Sequence, residues 1–181
     1  MKLAKIIFCI IITSLVSYAE EEQELRPKPP TNLFAGFGPA LSVTGGILGF
    51  AQVGGDFFIT GNDRLNFLLG PQANIYFAHQ DFNFGFIGIN FKLSHQKIFS
   101  NNTRIDLYAR LPVQIGFGKS HGSKALGFNI GLLPGFAYFF NNTLGIYTEL
   151  GAQGMFHLLF PEGPPAGYLL LSLNLGLTFN L

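Results

Sequence analysis

Tryptophan is absent from this 181-residue chain, cysteine occurs once, and charged residues make up only 12%. Average proteins carry roughly twice that charge fraction. The lone cysteine, Cys9, sits in an apolar stretch near the start, and the Ile-Ile-Phe before it makes a poor lipoprotein signal. Once that stretch is removed, no disulfide can form. A formal net charge of +1 gives no basis for a nucleic-acid partner. Beyond residue 19 no run reaches the roughly 20 apolar residues of a membrane helix. No Gly-x-Gly-x-x-Gly stretch leads into a helix, and there is no phosphate loop. The histidines are His79, His95, His121 and His157, without metal-ligand spacing. His79 and Asp81 flank one turn, but no third ligand accompanies them. No metal or other cofactor is expected.

What the chain does have is glycine, 23 residues, and phenylalanine, 21 residues. Its start, MKLAKIIFCIIITSLVSYA, puts Lys2 and Lys5 before an apolar run from Ile6 to Val16, with a small-x-small site at Ser17-Tyr18-Ala19. This reads as a secretory signal peptide, residues 1–19, cut after Ala19. A retained membrane helix would need a longer run. Cleavage removes Lys2 and Lys5 and leaves nine basic and ten acidic residues. Residues 20–32, EEEQELRPKPPTN, are charged and then proline-rich, a short leader ahead of the folded part at 33–181.

Polar or glycine-rich breaks cut the rest into eight segments: 33–43, 47–59, 65–78, 82–98, 103–117, 125–139, 143–157 and 167–181. The breaks are TGG, GNDR, HQD, SNN, GKSHGSK, NN and HLLFPEGPPAG, which suit turns and loops. The fifth segment alternates most cleanly. Ile105, Leu107, Ala109, Leu111, Val113, Ile115 and Phe117 oppose Arg104, Asp106, Tyr108, Arg110, Pro112, Gln114 and Gly116. Such a period of two indicates strands. In the fourth segment Phe82, Phe84 and Phe86 share one parity, while Ile87, Ile89, Phe91 and Leu93 share the other. A β-bulge near Phe86–Gly88 would put both sets on one face.

Two packed sheets would hide the apolar faces and leave the other faces in water. Those other faces carry mostly Gly, Ala, Asn, Ser, Gln and Tyr, and too little charge for a solvated surface. Their few charges have both signs: Arg104, Asp106, Arg110 and Glu149, joined by Asp56. Small and polar residues inside, apolar residues outside, describe a closed transmembrane barrel. Lipid cannot satisfy an open sheet edge, so the eighth segment must pair with the first. The expected fold is all-β, a closed eight-stranded antiparallel up-and-down β-barrel.

A signal peptide, eight alternating segments and a terminal amphipathic strand resemble the small outer-membrane barrels of Gram-negative bacteria, the OmpA-like transmembrane domain and OmpX-like proteins. The stretch Gly135 to Gly151, GFAYFFNNTLGIYTELG, is similar to their penultimate hairpin: an aromatic strand, a tight polar turn, and a strand with an inward acid, Glu149. One departure is the last residue, Leu181, where such proteins commonly end in phenylalanine; here Phe179 lies two positions earlier. The resemblance implies an outer-membrane location, periplasmic termini, and insertion by the barrel-assembly machinery as a monomer. It also implies contact with outer-membrane lipid and lipopolysaccharide. GNDR, SNN and NN would then be periplasmic turns, and the other four breaks would face outside. Those are short for the class, which argues against a large receptor or adhesin.

Eight strands enclose little more than their own side chains. A wide pore is not expected, and a structural or small binding role is. Asp56, Arg104, Asp106, Arg110 and Glu149 read as a structural network inside the barrel; the alternative is a narrow ion or proton route. A lipid A-modifying enzyme, such as a deacylase, would need a nucleophile beside a base. Ser94 and His95 adjoin but face opposite sides of a strand, and His157 is a rim residue without a serine near it in sequence. Phe34, Phe57, Phe82, Phe99, Phe117, Phe139, Tyr168 and Phe179 include candidates for aromatic girdles.

Overall fold

The computed structural model describes residues 31–43, 46–62, 65–78, 82–99, 103–120, 123–160 and 165–181. The signal-like start and most of the leader, His79, Asp81 and His121 lie outside the described residues. Eight strands follow one another: β1 (Asn32–Ser42), β2 (Ile47–Gly61), β3 (Leu65–Ala78), β4 (Phe82–Ile98), β5 (Arg104–Ser120), β6 (Ser123–Phe139), β7 (Leu144–Phe160) and β8 (Ala166–Asn180). Each pairs antiparallel with its neighbours, and β1 pairs with β8 from Asn32↔Asn180 to Ser42↔Leu170. The sheet is a closed barrel. Asn32, expected as the last residue before the folded part, is already in β1.

Alternation sets which side each residue takes. Along β5, Leu111, Val113, Ile115 and Phe117 are exposed on the outside, while Asp106, Tyr108, Arg110 and Gln114 are buried inside. The same division holds for β7, with Ile146, Leu150 and Phe156 outside and Tyr147, Glu149, Gln153 and His157 inside. The arrangement inverts that of a water-soluble protein. Its buried set is rich in Asn, Gln and charge, and its exposed set is rich in Leu, Ile, Val and Phe.

Two kinds of turn close the hairpins. At the end that holds the termini, asparagines act as local acceptors. Asn62 Oδ1 accepts the Leu65 N–H at 2.8 Å, and Asn141 Oδ1 accepts those of Thr143 and Leu144, each at 2.8 Å. A short amide side chain that caps its own turn is the reason asparagine recurs there. At the other end Gly46 has φ +107° between β1 and β2, a conformation that side chains with a Cβ rarely adopt. The β5–β6 hairpin is longer than the sequence suggested. Its ladder runs through Lys119↔Lys124 to Ser120↔Ser123, so most of GKSHGSK is strand. Likewise β7 continues to Phe160, through residues expected to be loop.

The expected bulge near Phe86–Gly88 is absent. The β3–β4 and β4–β5 ladders run through this region without a shift, and Phe84 and Phe86 point inward. Glycines on β5 and β6 make room for them. A Cβ at Gly118 would come within 2.6 Å of the Phe84 ring, and one at Gly116 within 2.7 Å of the Phe86 ring. A shift does occur in β2, between Phe58 and Thr60.

Prolines interrupt the ladder elsewhere. Between β2 and β3 the register skips Gly55 and Asp56, which face Pro71 and Gly70. Pro71 has no N–H to give. From β4 the Asn90 side chain supplies donors instead, Nδ2 reaching the Gly55 carbonyl at 3.2 Å and the Gly70 carbonyl at 3.0 Å.

Candidate functional site: a filled lumen

The interior is occupied in layers from the termini to the loop end. Nearest the termini, Arg104 Nε pairs with Asp106 Oδ1 at 2.9 Å. Its Nη2 donates to Asn32 Oδ1 at 3.3 Å, and its guanidinium lies 3.7 Å from the centroid of the Phe139 ring.

The next layer centres on Arg110, which is 1% exposed. Nη2 donates to Asp56 Oδ2 at 2.9 Å, and Nη1 donates to Glu149 Oε1. The Phe34 ring lies beneath the guanidinium, at 3.7 Å. Lys92 Nζ also donates to Asp56 Oδ2, at 2.9 Å, and sits 4.2 Å from the centre of the Tyr108 ring. Glu149 takes further hydrogen bonds from Tyr108 (3.1 Å), Gln52 (2.8 Å) and Asn174 (3.1 Å). Each interior cation therefore has both an acid and an aromatic face, which offsets loss of water on two sides.

Above the charges lies a ladder of amides. Gln72 donates to Gln52 and Asn74, and Asn74 and Asn129 both donate to Gln114 Oε1, at 3.0 and 2.8 Å. Tyr76 Oη donates to Gln153 Oε1 at 2.7 Å, and Gln153 donates to Ser172 at 2.9 Å. Toward the loop end the polar ladder gives way to an apolar plug of Phe50, Tyr76, Phe84, Phe86, Met155 and Leu170. Phe82 and Tyr168 pack against it. The His157 ring stacks on Tyr168 at 5.4 Å and tilts against Phe84 at 5.5 Å.

The five charged residues singled out from sequence all face the interior, but in two groups. Asp56, Arg110 and Glu149 are joined, while Arg104 and Asp106 form a separate pair. Sequence reading missed Lys92, although its position between the outward Phe91 and Leu93 carried the signal. With Lys92 the interior holds three acids and three cations among the described residues. His157 lies inside the wall near the loop end, 1% exposed, rather than open at the rim. Ser94 is buried inside, and His95 takes the opposite parity. Of the girdle candidates, Phe57, Phe99, Phe117 and Phe179 face outward. Phe34 and Phe139 are inside beneath arginines, and Phe82 and Tyr168 belong to the plug. Aromatic type alone does not separate a lipid-facing ring from one that serves a buried cation.

No protein-family model matches the chain, and no curated protein does either. Among solved structures it is similar to Neisserial surface protein A, with 14% identity over 84% of this chain and 96% of that one, at a TM-score of 0.52. It is also similar to the outer membrane enzyme PagL, with 12% identity over 80% and 97% of the two chains, at a TM-score of 0.47. A third likeness is to the N-terminal β-barrel domain of Pseudomonas aeruginosa OprF, with 15% identity over 83% and 97%, at a TM-score of 0.38. At 14% identity, the property shared with Neisserial surface protein A is the fold, that of a small closed β-barrel.

Proposed function

We propose that this chain is an integral outer-membrane barrel with a structural or small binding role and little or no pore activity. One observation carries the reading: an interior filled by side chains bonded to one another, inside a wall whose outer face is apolar. Water-exposed surfaces do not present contiguous apolar residues on this scale, and lipid requires the ladder to be closed. The fold shared with Neisserial surface protein A supports the same reading. On it, residues 1–19 direct export, residues 20–32 lead into the barrel, and both termini lie in the periplasm. The barrel-assembly machinery inserts the chain, which then contacts lipopolysaccharide as a monomer.

Membrane fractionation combined with N-terminal sequencing tests the location, with a mature start at Glu20 expected. Recovery as a soluble periplasmic protein would overturn it. In planar bilayers the folded chain should give no large, stable currents, because polar ladder and aromatic plug both block the path. Incubation with lipopolysaccharide should leave its acyl-chain number unchanged by mass spectrometry. A loss of chains that disappears in His157→Ala or His95→Ala would replace the structural reading with an enzymatic one.

A further inference from the structure

The outer wall is not uniform in charge. All the acids among the described residues, Asp56, Asp106 and Glu149, are inside the barrel. The ionisable side chains exposed outside include Lys97 near one end and Lys119 and Lys124 near the other. Lys119 and Lys124 are direct cross-strand partners on the outer face of β5 and β6, and Asn83 of β4 pairs with Lys119 in the same row. Like charges placed directly opposite each other repel. No ion pair to either lysine is present among the described residues. An anion between them would turn the repulsion into attraction.

Immediately below that row the wall becomes apolar, with Phe117 of β5 paired to Leu126 of β6 and Leu126 paired to Leu158 of β7. Beneath Leu126 a groove of about 260 Å³ is bordered by Phe128, Phe156, Leu158, Pro165 and Gly167. Gly167 stands opposite Phe156, and a Cβ there would come within 3.1 Å of the Phe156 ring. A polar, cationic row thus sits above an apolar groove on one continuous face.

We propose that this face binds a phosphorylated, acylated lipid of the surrounding leaflet, with its phosphate held by Asn83, Lys119 and Lys124 and an acyl chain in the groove beside Phe128 and Phe156. The inference rests on the lipid-facing reading of the wall and adds a specific site to it. Charge complementarity selects an anionic headgroup, and the groove below selects a lipid over a free anion.

The folded full-length barrel in a neutral detergent is titrated with dioleoyl phosphatidic acid and, separately, with dioleoylglycerol, and adducts are counted by native mass spectrometry. Phosphatidic acid should bind more tightly. Each lysine near a phosphate contributes about 1 kcal/mol, so Lys119→Gln with Lys124→Gln should weaken it about 30-fold. Gly167→Leu fills the groove, leaves the lysines in place, and should weaken both lipids. Lys97→Gln, at the other end, should change neither. Heat-dependent gel mobility checks that every variant is folded. Equal binding of the two lipids, an unaffected double variant, or an equal loss in Lys97→Gln would overturn the site. Displacement of the lipid by an equal concentration of inorganic phosphate would reduce it to an anion contact and overturn the lipid assignment. Flotation with phosphatidylcholine liposomes tests the wall separately. Failure to float would remove the membrane reading, whereas flotation without a preference for phosphatidic acid would remove only this site.

Discussion

Arg110 lies over the ring of Phe34, its guanidinium carbon 3.7 Å from the ring centroid, while its terminal nitrogens hold Asp56 and Glu149. One cation thus joins β1, β2, β5 and β7 across the interior. Phe34→Leu keeps apolar volume but removes the π face. It should lower stability in urea unfolding by about 1–2 kcal/mol, the worth of a desolvated cation–π contact. No loss would mean that the ring only fills space.

Removing Arg110 should be more damaging. Arg110→Ala leaves buried Glu149 without a cation and Asp56 with Lys92 alone, and breaking a buried pair costs roughly 3–5 kcal/mol. Glu149→Ala leaves the cation with Asp56 alone. The double variant should cost less than the two single losses added together, because the interaction is removed only once. Strict additivity in urea midpoints would show that the pair is not coupled.

Lys92 shares the Asp56 Oδ2 atom with Arg110. Lys92→Met should therefore cost less than Arg110→Ala, since it leaves every acid of this group with a cation, whereas Arg110→Ala leaves Glu149 with none. Adding Asp56→Asn to Lys92→Met should recover little, because Arg110 then loses one of its two acids. A Lys92→Met penalty above that of Arg110→Ala would reverse this ranking of the two cations.

Asn90→Ala tests the repair at Pro71. Two carbonyls, those of Gly55 and Gly70, lose their amide donor. An unsatisfied buried group costs about 1–3 kcal/mol. Asn90→Asp should be worse still, since a carboxylate cannot donate to a carbonyl. A neutral Asn90→Ala would mean that these carbonyls have other donors.

Facing can be read directly. In a Cys9→Ser chain, which has no other thiol, single cysteines can be placed at will. Probes at positions 110 and 84 should be shielded from lipid-phase quenchers, and probes at 111 and 85 should be quenched. Quenching at 84 would restore the bulge and return Phe84 to the outside.

The number of strands, their antiparallel order and the closure of β1 on β8 follow from local pattern. Period-two alternation is a property of the strand backbone, and a lipid-facing sheet without closure would leave its edges unsatisfied. The inward parity of Asp56, Arg104, Asp106, Arg110 and Glu149 was equally legible. Local pattern could not say which acid each cation would take. Arg104 and Asp106 are two residues apart on one strand, while Arg110 reaches acids 54 and 39 positions away. Nor could it decide the facing of Phe84 and Phe86, which suits either side of the wall. That depended on Gly116, Gly118 and Gly127, more than 25 positions later in the chain, leaving space inside. Strand registry was the deciding step, because it alone sets which side chains meet across the interior. Backbone periodicity carries parity along one strand, whereas contact across a closed barrel depends on all eight at once.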